Sequence, residues 1–289
     1  MFSQKLLNVA CLALATLIAA PSHAATDEKS PKPLRVLLVI GGCCHDYATQ
    51  KDLLRNGIEA RLNATVDIAY DGTKTTKPLF EAYKGTNWAK GYDVVVHDEC
   101  AADITDPAYV ENILQAHRNG VPAVNLHCAM HSYRWGNFGQ PVKVGADNAS
   151  WYEMLGLQST GHGPQQPISI AFSDKDNAIV KGFANWTTVN EELYNNIQIL
   201  TGHPLASGTQ SIPEKKDKAG KVTPAKDVTS VVVWTNEFGP KKTRIFSTTL
   251  GHNNATVEDA RYLDLVTRGL LWSVNKLGED GKATAGYAK

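Results

Sequence analysis

The 289-residue chain has no surplus of charge of either sign, since 29 Lys and Arg stand against 29 Asp and Glu. That balance removes the electrostatic basis for gripping nucleic acid or an anionic membrane surface, so neither is expected as a partner. Cysteine is scarce, at five residues, too few for a disulfide-built scaffold. Glycine (23) and proline (13) stay near background, which excludes a fibrous repeat. The one long apolar run, Leu6–Ala20, is 15 residues and falls short of the ~20 that span a bilayer. What is there is ordinary globular usage, 43% hydrophobic and 20% charged.

The apolar run lies within Met1–Ala24, preceded by Lys5 and followed by Ser22 and Ala24, an A-x-A-like cleavage site. This segment reads as a secretory signal peptide, so the mature protein is expected to be secreted and periplasmic. Residues 25–33 read as a polar linker, 34–277 as one domain, and 278–289 as a disordered Gly/Ala/Lys tail.

Leu34–Ile40 is a continuous apolar run ending in Gly41-Gly42, the pattern of a strand buried on both faces. Lys51–Leu62 carries apolar residues at helical spacing. Thr65–Tyr70, Asp93–His97 and Ala123–Leu126 read as further strands. Asp106 reads as an N-cap with Pro107 at the first helical position, opening a helix that stops at Gly120. Alternating buried strands and amphipathic helices predict an α/β domain with a mostly parallel, doubly wound sheet. In the second half, Pro167–Phe172, Ile197–Thr201, Val228–Thr235 and Arg244–Thr249 read as strands and Ser207–Lys226 as an exposed loop. Thr256 is expected to cap a helix running to about Leu277.

Ligands of such sheets sit beyond the carboxyl ends of the strands. Five histidines stand there: His45, His97, His127, His131 and His252. His45, followed by Asp46, comes after a glycine pair that lets the chain turn sharply. His127 and His131 are four apart and share a face if the chain is helical, a spacing suited to a divalent metal such as zinc. Without a metal, one is read as a general base and the other as a hydrogen-bond donor to substrate. Glu191-Glu192-Leu193-Tyr194 supplies carboxylates in a stretch that reads as loop, Glu192 as ligand or acid/base and Tyr194 as pocket lining. His252 sits in a Gly-His-polar loop suited to presenting an imidazole. Tyr133, Trp135, Trp151 and Tyr152, with Arg134 between them, suit sugar faces and hydroxyls. Cys43, Cys44, Cys100 and Cys128 also collect at strand ends. A pair such as Cys44–Cys100 reads as a disulfide, and Cys128 with His252 is the alternative, a nucleophilic hydrolase pair.

Gly41-Gly42…His45-Asp46, Leu126-His127…His131-Ser132-Tyr133-Arg134, Glu191-Glu192-Leu193-Tyr194, Gly202-His203-Pro204 and Leu250-Gly251-His252, followed by Arg261-Tyr262…Leu271-Trp272, together resemble the ThuA-like (trehalose-utilisation) family. The resemblance runs from about residue 34 to 275. It implies a single flavodoxin-like domain of the class I glutamine amidotransferase type. The amidotransferase elbow, which holds a nucleophilic Cys, matches His127 here, and Asn254 replaces the Glu of the late His-x-Glu. Both departures speak against glutamine hydrolysis. The resemblance implies carbohydrate processing on a small-molecule sugar, with His45, His127, His131, Glu192 and His252 at the matching motif positions. The expected activity is cleavage of a glycoside or 3-keto-glycoside by His/Glu acid–base chemistry, with or without a metal. Glu192 or His252 is then the base, and His127 with His131 polarises the carbonyl. The alternative is a sugar-binding protein that keeps the fold without catalysis.

Overall fold

A computed structural model describes residues 31–289, together with Met1 and Phe2. The signal-peptide reading and most of the linker lie outside the described residues. Among those described, no helix is long and apolar enough to cross a membrane.

The main sheet has nine strands: β1 (Leu34–Gly42), β2 (Ala64–Asp71), β3 (Val94–Cys100), β4 (Ala123–Leu126), β5 (His162–Phe172), β6 (Trp186–Tyr194), β7 (His203–Ile212), β8 (Lys226–Phe238) and β9 (Thr243–Thr248). Their spatial order is β2-β1-β3-β4-β9-β8-β7-β5-β6. The first five are mutually parallel, and every pairing from β9 outward is antiparallel. This is the α/β architecture expected, with an antiparallel wing that carries its own contribution to the site.

Helices cover both faces of the parallel strands because those strands are apolar on both sides. Val36, Leu38 and Ile40 pack with Leu54 and Ile58 of α1 (Tyr47–Arg61). Leu37 and Val39 face the opposite layer, with Val110, Ile113 and Leu114 of α2 (Pro107–Arg118). Asp106 caps α2, its Oδ1 accepting from Ala108 N (2.9 Å), with Pro107 at the helix start, as the sequence predicts. A short helix α3 (Ser150–Leu155) joins the second layer. The C-terminal α4 (Asn254–Val257) and α5 (Ala260–Ser273) join the first.

Four expectations are corrected. Ser207–Lys226 is not all loop, since residues to Ile212 pair with β8 as strand β7. Glu191–Tyr194 is not loop but the end of β6. The cap of α5 is Asp259, accepting from Arg261 N (2.8 Å), because Thr256 is already inside α4; the helix stops at Ser273. The final segment folds back onto the domain: Tyr287 O accepts from Asn63 N (3.0 Å) and Lys289 N donates to Arg61 O (3.1 Å).

Candidate active site

The chain turns sharply at the carboxyl ends of β1 and β4. Gly42 has φ +93°, and a Cβ there would lie 2.4 Å from Cys100 O, so only glycine fits. The turn carries Cys43 and Cys44 and delivers His45, while Asp46 caps α1 with its Oδ1 on Thr49 N (3.3 Å). His127 follows β4 with φ +36°, a strained position for a branched-ring residue that throws its side chain up from the sheet.

The third imidazole comes from the β9–α4 loop. Glu191, fully buried on β6, accepts from the backbone N–H of His252 (3.1 Å) and of Asn253 (3.2 Å). Gln50 of α1 donates to His252 O (2.9 Å). Neighbouring Glu192 points its carboxylate at the imidazoles.

The four side chains meet at one point. His45 Nε2 lies 3.0 Å from His127 Nε2 and 3.1 Å from His252 Nδ1. Glu192 Oε2 lies 3.3 Å from His252 Nδ1 and 3.7 Å from His127 Nε2. The Tyr194 hydroxyl is 3.2 Å from His127 Nε2. Behind the cluster, His127 Nδ1 donates to Thr249 O (2.6 Å), which turns its Nε2 lone pair inward. In front opens a pocket of about 730 Å³ lined by His45, Asp46, Lys74, Gln165, Asn190, His252, Asn253 and Asn254 among others.

Burial drives the electrostatics. It lowers His127 to about 4, and it lowers His45 to about 2 with help from His127 and His252, so both are neutral imidazoles. For Glu192, burial alone would raise the pKa, but the hydrogen bond to His252 and the charge of the surrounding histidines bring it down to about 2. Burial likewise opposes His252 ionisation, yet its hydrogen bond to Glu192 raises it above the ordinary histidine value. The site therefore holds one carboxylate, one imidazole that readily carries a proton, and two that do not.

Of the residues singled out from sequence, His45, His127, Glu192, His252 and Tyr194 converge, and Asp46 lines the pocket, held by Asn254 Nδ2 on its Oδ2 (2.8 Å). His131 does not join His127 as a second donor. Residues 127–131 form a 3-10 turn, in which positions four apart diverge by roughly 120°, against about 40° in an α-helix. His131 Nε2 instead meets Ser159 Oγ (2.9 Å), and its ring stacks on Tyr194 (3.9 Å between centroids). Tyr133, Trp151 and Tyr152 are core, not a sugar platform: all are buried, and Tyr133 donates to Glu99 Oε1 (2.9 Å). Arg134 lies over the Phe138 ring and donates to Thr160 O (3.0 Å), away from the pocket. His97 belongs to a separate buried network with Tyr83, Glu99 and His117.

The cysteines pair as Cys43–Cys44 and Cys100–Cys128, not Cys44–Cys100. With its sulfur bonded, Cys128 offers no thiolate to a Cys128–His252 hydrolase. Lys74, Gln165, Asn190 and Asn253 were missed as pocket residues. Each is an ordinary polar residue in a loop or on the antiparallel wing, with no local pattern to mark it.

A family model described as trehalose utilisation (ThuA) matches residues 35–273. The chain belongs to the ThuA family. Two solved ThuA-like structures share the fold. That from Parabacteroides merdae has a TM-score of 0.56 at 18% identity, covering 89% of this chain and 97% of its own. That from Bacteroides uniformis has 0.54 at 16%, covering 90% and 98%. No curated protein matches in sequence. The motif residues quoted from the sequence thus stand in a ThuA domain, and ThuA proteins are tied to carbohydrate use through trehalose.

Proposed function

We propose that this ThuA protein is an exported, periplasmic enzyme that cleaves a glycoside, with a 3-keto-disaccharide as its best substrate. The observation that carries the reading is the convergence of His45, His127, His252 and Glu192 beside a pocket that His45 and His252 line. Amide and charged side chains around that pocket suit a ligand made of hydroxyls.

A ketone at C3 acidifies the C2–H bond. A base removes that proton, and the electron pair forms an enolate with its charge on the C3 oxygen. Re-formation of the ketone expels the glycosidic oxygen from C1, which leaves with a proton from a general acid, and water then adds at C1. The reaction needs a proton carrier and a group that faces the developing negative charge. His252, whose pKa is raised by its hydrogen bond to Glu192, is the proton carrier. The His45 ring lines the pocket and faces it as a donor, while the Tyr194 hydroxyl, kept protonated by burial, donates to His127 Nε2. A paired-carboxylate glycosidase mechanism fits less well, because Glu191 is committed to the backbone of the 252 loop.

Purified protein should release monosaccharide from a 3-keto-disaccharide at least ~100-fold faster than from the unoxidised sugar, and His127→Ala should remove the activity. Sugar binding without turnover of either would leave a non-catalytic binding protein. Export is checked by the N-terminal sequence of the mature chain, expected to begin near Ala25.

A further inference from the structure

We infer that His45 Nε2, His127 Nε2, His252 Nδ1 and Glu192 Oε2 are the ligands of one divalent first-row transition-metal ion of the zinc class. These donor atoms all lie within 4.8 Å of one another.

The hydrogen-bonding alternative cannot satisfy the cluster. His127 spends its Nδ1 hydrogen on Thr249 O, so its Nε2 offers a lone pair. Of the four side chains, only His45 through Nε2 and His252 through Nδ1 can then bring a hydrogen to the centre. If both do, two N–H groups point at each other across 3.1 Å. If only His45 does, the His252 lone pair faces the Glu192 carboxylate at 3.3 Å. If only His252 does, the lone pairs of His45 and His127 face each other at 3.0 Å. Every tautomer leaves one repulsive contact inside a largely buried cluster, where such contacts are screened least. The Tyr194 hydroxyl can give His127 a hydrogen but does not change this count.

A cation removes all of these conflicts at once. With metal–ligand bonds of ~2.0–2.2 Å, donors at tetrahedral to octahedral angles lie roughly 2.8–3.6 Å apart. The separations of 3.0, 3.1 and 3.3 Å fall in that range and 3.7 Å just outside it. Three imidazoles and a carboxylate suit zinc, manganese, iron or nickel over calcium or magnesium. The Thr249 carbonyl on His127 Nδ1 is the outer support that metal-bound histidines usually have. His45 and His252 also line the pocket, so the coordination sphere is open on the side from which a sugar would enter.

The inference deepens the proposed reaction at the same atoms. In the loaded enzyme, His252 and Glu192 would serve as ligands, and the ion would polarise the C3 ketone and supply a bound hydroxide, which takes the C2 proton and becomes water. Metal binding is nevertheless measurable without any substrate, so the two ideas can fail separately.

The test is elemental analysis of the full chain purified without a polyhistidine tag, followed by chelator stripping and titration with Zn²⁺ and Co²⁺. About one ion per chain is expected. Cobalt should give the visible spectrum of nitrogen and oxygen ligation, without a sulfur-to-cobalt charge-transfer band. His45→Ala, His252→Ala and Glu192→Gln should each weaken binding at least ~100-fold, more than loss of an outer-shell partner does. His203→Asn, at a surface histidine paired with Asp174, should leave it unchanged. Should the site variants fail to fold, anomalous diffraction from zinc-soaked wild-type crystals decides, with a peak expected among the four donors. No binding of either ion, binding indifferent to the site variants, a sulfur-ligated spectrum or a peak elsewhere overturns the inference. A bound ion with no turnover of any 3-keto-glycoside would sink the proposed function alone, and turnover by a protein that binds neither ion would sink the metal site alone.

Discussion

Glu191→Gln is the substitution that best probes how the fold holds the site. The Glu191 carboxylate accepts one backbone N–H with each oxygen, from His252 at 3.1 Å and from Asn253 at 3.2 Å, and its side chain is fully buried. Glutamine keeps the length and volume but has a single acceptor oxygen, so one of those N–H groups must face an amide N–H₂. Losing a hydrogen bond to a charged group and stranding a buried donor costs about 2–4 kcal/mol. Burial raises the Glu191 pKa, so removing the charge returns part of that, and the expected net loss is about 2 kcal/mol. For a domain of this size each kcal/mol lowers Tm by roughly 2–4 °C, which gives about 4–8 °C. Because the stranded group belongs to the loop that presents His252, turnover should fall together with stability. The assay is thermal and urea unfolding beside steady-state kinetics. A Gln variant that melts within a degree of wild type and turns over normally would refute the claim that this carboxylate clamps the loop.

Gly251 has φ +124°, and a Cβ there would sit 2.8 Å from the buried Tyr262 hydroxyl, so Gly251→Ala should cost about 1–3 kcal/mol in urea unfolding and displace His252. His131→Ala should lower activity far less than His252→Ala, which removes the proton carrier and costs ~10²–10⁴-fold, because His131 engages Ser159 rather than the cluster. Stability should fall with acid: burial holds His127 at about 4 and His117 at about 3, both below the unfolded value near 6.5, so the unfolded chain protonates first. Each group removes about 2 kcal/mol by pH 5, and Glu192, whose pKa is depressed to about 2, adds its own loss below about 4.5, partly offset by the raised His252. Urea midpoints between pH 7.5 and 4 check this, and a flat profile would contradict it. Native protein treated with a thiol alkylator should gain no mass at Cys43, Cys44, Cys100 or Cys128 until it is reduced.

The parallel half of the fold was legible because its signals are local. Leu34–Ile40 is apolar on both faces, and Asp106-Pro107 marks a helix start without ambiguity. Once strands are placed, the switch from strand to loop locates His45, His127 and His252 on one rim. The antiparallel wing was harder. Asn190-Glu191-Glu192 reads as solvated loop because nothing in those letters says that two glutamates will be buried, one by backbone donors and the other by imidazoles. Whether His127 and His131 share a face depends on whether the turn is α or 3-10, which spacing alone leaves undecided. Tyr133, Trp151 and Tyr152 carry no mark that separates a core aromatic from a sugar platform, and α2 and α3 decide it by packing over them.

The most direct measurement of the central claim follows the C2 hydrogen of a 3-keto-disaccharide deuterated at that carbon. If the His/Glu cluster draws the proton from C2, wild-type protein will wash the deuterium into water as the glycosidic bond breaks, with a primary isotope effect on a proton-limited step, and His127→Ala will do neither. Bond cleavage with the label still at C2 would contradict it.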